Sequence, residues 1–201
     1  QIRDAWEIRG ETRAAQVDPE AWKGFFAGLQ LAEQTLQTAT RHDPEAAAPY
    51  AEMLTSARGL QLPKEEVNRR FQLAHSREPF GPRACTIMLQ NLCAKWTHGS
   101  HGAMFAFARW VDANAPADSP SRVVIFQAHY EYQGNQDDGS FEQTYFANDE
   151  VAAEVEALGR RALPAQSKAT LAAAILVLRP QGILGINDRH DSLFSARNGQ
   201  I

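Results

Sequence analysis

The sequence predicts an all-α fold in which antiparallel helical hairpins stack into a short, diverged solenoid. Three observations lead there. Apolar residues recur at intervals of three and four over most of the chain, the helical period. Asp18-Pro19, Pro63 and Ser100 mark helix starts, and Pro/Gly pairs punctuate the stretches between. Finally, Phe71 and Ala74 recur 34 residues later as Phe105 and Ala108. That spacing is the tetratricopeptide period, and a fixed period marks a helical repeat array.

The 201 residues suit one domain with a sizeable core. A repeat-like core is expected over 18–133, further helices within 141–178, and an irregular tail over 179–201. The formal charge of -4 and the pI near 5.9 leave no basic footprint for nucleic acid or an anionic membrane. The longest apolar run, 171–178, is too short to cross a bilayer. Cys85 and Cys93 fall on one expected helix, roughly 12 Å apart at the helical rise, too far for a disulfide. They read as buried apolar residues of a reducing, cytoplasmic compartment.

In order, 1–9 is a short helix with Ile2 and Trp6 on one face and Gly10 as its stop. Such a helix needs a neighbour, which fits a shortened first hairpin. Asp18 caps a long helix to about residue 41, with Trp22, Phe25, Phe26, Leu29, Ala32, Leu36 and Ala39 as its apolar positions. Residues 49–58 form the next helix, and Gly59 reads as its left-handed cap. Pro63 opens another, with Val67, Phe71 and Ala74 facing inward, closed by the turn at 78–82. Residues 83–95 form a helix, and Ser100 caps the one that follows. That helix carries Met104, Phe105, Phe107, Trp110 and Val111 on nearly all sides, so burial between neighbours is expected. Residues 121–132 read as helix rather than strand despite Val123-Val124-Ile125. The polar run 134–140 interrupts the repeat, and helices resume over 148–158 and 164–178.

The run Lys95-Trp96-Thr97-His98-Gly99-Ser100, followed by Met104, Phe107, Ala108 and Arg109, resembles a W-x-G-S-x-x-x-M-x-x-F-A-R signature. That signature belongs to an uncharacterised bacterial family described as tetratricopeptide-like. Here Trp96 and Gly99 stand one residue further apart than in the signature. The similarity extends over about 20–132, through Asp43-Pro44, Gly59-Leu60 and Ala128-His129-x-Glu131. It implies a helical fold and no particular activity.

Candidate chemistry is sparse. Arg109, His129 and Glu131 are expected to form a polar network, either an internal ion pair or a groove for a carboxylate or phosphate. Trp96 and Ser100 complete the candidate binding residues. His98, His101, His129 and Glu131 are the types a metal site or small enzyme would use, yet their spacing fixes no ligand geometry. Trp96, Phe105, Phe107 and Trp110 read as core more readily than as a ligand box. The 188–191 run Asp-Arg-His-Asp reads as a solvated loop. Gly182 and Gly185 lack the context of a nucleotide loop, and nothing calls for a cofactor. The expectation is therefore a non-catalytic module for a protein or peptide partner, with a homo-oligomer left open; a metal protein or small enzyme is the alternative.

Overall fold

A computed structural model describes residues 1–10, 12, 14–134, 145 and 148–162. Within these the chain is all-helical. The α-helices are α1 (Ile2–Arg9), α2 (Pro19–His42), α3 (Ala47–Gly59), α4 (Lys64–Arg77), α5 (Pro82–Leu92), α6 (His101–Asn114), α7 (Val124–Gly134) and α8 (Asp149–Ala162). Short 3-10 turns cover Ala14–Gln16 and Pro120–Val123. The expected helix over 164–178 and the irregular tail over 179–201 lie outside the described residues.

The starts follow the chemistry of the caps. The Asp18 carboxylate accepts from the Glu20 amide at 2.8 Å, and Pro19 takes the first helical position. The Ser100 hydroxyl accepts from the Ala103 amide at 3.1 Å. Residues 120–134 are helical, as the length of the run requires.

Gly59 differs from expectation. It does not take the left-handed conformation; Gln61 does, with φ 53°. The Leu62 amide then reaches back to the Ala57 carbonyl at 2.9 Å, closing α3 in a Schellman-type turn. Gly59 instead permits close approach, because a Cβ there would lie 2.4 Å from Leu29 Cδ1 and 2.9 Å from Phe25 Cζ.

Helices pack mainly on their neighbours in sequence, and α3 packs on both α4 and α5. The main core joins Leu54, Leu89, Met104, Val111, Val124 and Ile125 across α3, α5, α6 and α7. A second cluster holds Ala5 and Trp6 of α1 against Phe25 and Leu29 of α2. Ala51, Ala74 and Ala84 form a third, whose small side chains let α3, α4 and α5 come close. Cys85 and Cys93 are free and buried, and burial pushes both thiols up to about 12.

A buried ion pair ties α2, α3 and α4 together. Arg70 donates to Glu33 through Nη1 at 2.6 Å and Nη2 at 2.9 Å, to the Met53 carbonyl at 2.6 Å, and through Nε to Glu66 at 2.7 Å. The Ser56 hydroxyl donates to the same Glu33 carboxylate. Hydrogen bonds from Arg69 and Arg70 hold the Glu66 carboxyl down to about 2.

Candidate functional site

The predicted polar network exists, with a different carboxylate at its centre. Arg109, on the outer face of α6, grips Glu154 of α8 through Nε at 2.8 Å and Nη2 at 3.0 Å. His129 of α7 contacts the same carboxylate through Nε2 at 2.9 Å and the Tyr145 hydroxyl through Nδ1 at 2.7 Å. Glu131 lies in a separate cluster, accepting from Gln90 at 2.6 Å and Lys95 at 2.7 Å. The reason is helical geometry: residues two apart on α7 do not share a face.

His129 is 2% exposed, and its desolvation lowers its pKa from 6.5. The neutral tautomer with its proton on Nε2 satisfies both partners, donating to Glu154 and accepting from Tyr145. Burial raises the Tyr145 hydroxyl to about 12, and the Arg109 guanidinium lowers the Glu154 carboxyl. A tyrosine, histidine and glutamate in series have the order of a nucleophile, base and orienting group. At 2% exposure, however, the imidazole is shut away from substrate, and the chain of bonds acts as a latch between α6, α7 and α8.

The latch has a definite pH dependence. His129 has a lowered folded pKa, so the unfolded form binds its proton first, and its contribution falls as pH drops below 6.5. Glu154 also has a lowered folded pKa, so its contribution is present above 4.5 and is lost as pH falls further. Both act in one direction. Protection factors of the α8 amides, taken relative to the intrinsic exchange rate at each pH, are expected to fall on acidification from neutrality to pH ~5, while those of α3 and α5 hold. Equal α8 protection at both pH values would show that the latch carries no weight.

The remaining candidates disperse. Ser100 is the α6 cap. His101 packs its ring edge against Tyr132 at 4.7 Å, and His98 is exposed on the α5–α6 connection. Among the described residues no three His, Cys, Asp or Glu side chains converge as metal ligands.

Trp96 belongs to a box that the sequence did not reveal. Arg58 of α3 places its guanidinium carbon 5.7 Å from the Trp6 ring centroid and 5.1 Å from that of Trp96. The two indoles meet edge-on at 5.8 Å. Arg58 is 5% exposed, and burial lowers it to about 10. One signal was available: Arg58 lies four residues after Leu54, on the stripe of α3 that faces the core.

A second aromatic group lies on the outer side of α4 and α6. Phe71 meets Phe107 at 5.3 Å and Trp110 at 6.4 Å. Trp110 also packs on His75 at 5.6 Å, Phe80 at 5.2 Å and Phe107 at 5.8 Å. Of these rings Phe71, Phe107 and Trp110 are expected in the core; Phe71 and Phe107 pack against it while half-buried, as does Phe80 from the turn before α5, and Trp110 is 39% exposed. Helix α6 buries Met104, Ala108 and Val111 along one stripe and turns its aromatic flank toward solvent. Phe80 has φ 54°, a left-handed conformation unfavourable for an aromatic residue. Its amide donates to His75 Nδ1 at 3.1 Å, and its carbonyl accepts from the Ser121 hydroxyl.

No protein-family model matches the chain, and no significant match was found among curated proteins or solved structures. Among the described residues no helix is long and apolar enough to cross a membrane.

Proposed function

We propose that this chain is a non-catalytic, tetratricopeptide-like helical module that binds an apolar segment of a protein or peptide partner through the aromatic face of α4 and α6. The observation that carries the reading is Phe80. A left-handed phenylalanine costs roughly 1–3 kcal/mol, and such strain persists where the surrounding structure holds it in place. Here His75 and Ser121 hold the strained backbone, and the ring completes a half-exposed surface with Trp110, Phe107 and Phe71. Aromatic residues in partly desolvated clusters are the usual anchors of interfaces. The packing of helices on sequence neighbours supports the array reading, and the bacterial family resemblance agrees with it. Two buried free thiols fit a cytoplasmic setting.

Selection of peptides by display on the purified chain tests the proposal. Binders should carry aromatic or aliphatic anchors. Trp110→Glu, at a 39% exposed position, should leave the protein folded, with some loss of melting temperature from its ring contacts, and lose about 2 kcal/mol of affinity, roughly thirtyfold. Undiminished binding by the folded variant would remove this face from consideration. Sedimentation at high concentration distinguishes a peptide partner from a second copy of the chain.

A further inference from the structure

A buried donor without an acceptor forfeits its bond to water, and a buried charge without a partner costs more. The box around Arg58 concentrates such donors. Arg58 Nε, Nη1 and Nη2, Trp6 Nε1 and Trp96 Nε1 are all buried and have no hydrogen-bond partner. Stacking on the two indoles compensates the charge through the faces of the rings, but leaves every N–H unused. Glu131 is the carboxylate whose charge Arg58 feels, and it is already engaged by Lys95 and Gln90. The Cys93 thiol, raised to about 12, supplies no anion.

Beside this box lies a cavity of about 30 Å³ between the end of α3, the start of α4 and the connection after α5. Arg58, Lys64, Asn68, Asn91, Trp96 and His98 are among its lining residues, and among the described residues no Asp or Glu lines it. Lys64 is the first residue of α4, whose cap residue, Pro63, offers no side-chain acceptor; its carbonyl takes the Glu66 and Val67 amides, which leaves those of Lys64 and Glu65 without an acceptor in the helix. Lys64 and the positive end of the α4 dipole thus border one small space, with the Arg58 guanidinium buried behind it; Glu65 and Glu66, in the same first turn, offset part of that dipole. Its size suits one small oxyanion, since a single water needs only about 10–15 Å³ by the same measure.

We propose that this cavity is a binding site for a single oxyanion, a phosphate or a carboxylate, with Arg58 as its principal charge partner. Lys64, His98 and the α4 amides contact the ligand from the solvent side. Each Arg58 nitrogen exposes less than 1 Å². Direct hydrogen bonds to the guanidinium therefore require the side chains over it to shift; Trp96 stacks on Arg58 and lines the cavity, which couples binding to the environment of that indole. This site stands apart from the aromatic face of α4 and α6 and does not depend on its reading.

The test titrates inorganic phosphate and, separately, acetate into the chain at constant ionic strength set with chloride. Melting temperature and tryptophan emission are followed. One of the two anions should give a saturable rise in melting temperature and a matching emission change, and the one that does identifies the oxyanion class. Lys64→Gln and His98→Gln alter exposed side chains and should each weaken binding by roughly fivefold, the upper scale of one exposed charge contact. Arg58→Met should abolish the response. No saturable response to either anion overturns the proposal, as does an undiminished response in folded Arg58→Met. If that variant does not fold, the double variant Lys64→Gln/His98→Gln decides: affinity equal to that of the wild type overturns the site.

Discussion

Arg70→Met is expected to destabilise the fold by about 3–5 kcal/mol, because it leaves the Glu33 carboxylate buried without its counter-charge. Glu33 is 9% exposed, and Arg70 supplies two of its hydrogen bonds. The same substitution takes a donor from the Met53 carbonyl and from Glu66. Three helices loosen at once, since Glu33 belongs to α2, Met53 to α3 and Arg70 to α4. Urea denaturation measures the loss. The double variant Glu33→Leu/Arg70→Met removes both charges and should recover most of it, because two well-packed apolar residues replace a pair that is expensive to desolvate. If Arg70→Met costs under about 1 kcal/mol, in the range of an exposed pair, the buried link is not what holds α2 to α4.

Gly99→Ala should be costly for a different reason. A Cβ at this position would lie 1.9 Å from the Cys93 carbonyl oxygen and 2.8 Å from that of Leu92. Both are backbone atoms and both are already bonded, to the amides of Trp96 at 3.0 Å and Ser100 at 2.9 Å. The added methyl can be relieved only by breaking the turn that sets the entry of α6. A loss near 3 kcal/mol, at the upper end for overpacking, is expected in thermal or urea melts. Gly102→Ala is the control. A Cβ there meets nothing within 4 Å, so in a helix the change should be neutral or stabilising by roughly 0.5–1 kcal/mol. Equal stability of the two alanine variants would contradict the packing described for the turn.

The residues that were legible in the sequence are those whose chemistry is local. Asp18-Pro19 and Ser100 announce helix starts through bonds two or three residues long, and the structure places both caps as expected. The interval of three and four along α2 likewise records a buried face, at Phe25, Leu29 and Ala32. What escaped depends on partners distant in sequence. Glu33 and Arg70 are 37 residues apart, and on either helix alone each reads as a solvated charge. The sequence points to Arg109 and His129, but the carboxylate nearest to them in sequence, Glu131, is not theirs; Glu154 fills that place, because residues two apart do not share a helix face. Gly59 illustrates the same limit. Its position at a helix end suggested a backbone role, whereas the constraint comes from Leu29 and Phe25 on another helix.

The aromatic flank of α6 was misplaced for a related reason. Hydrophobicity around a helix predicts burial only if other elements are available to cover each side. Met104, Ala108 and Val111 have such cover on every side, and Trp110 has it only from the neighbouring rings of Phe71, His75, Phe80 and Phe107. A half-exposed aromatic cluster of this kind is a candidate interface rather than a packing defect. The most direct measurement is a titration of a selected peptide into isotope-labelled protein, followed by amide and aromatic chemical shifts. Perturbations are expected to centre on Phe71, His75, Phe80, Phe107 and Trp110, with α1 and the first half of α2 unmoved. Perturbations centred on another surface, with this face silent, would contradict the proposed interface.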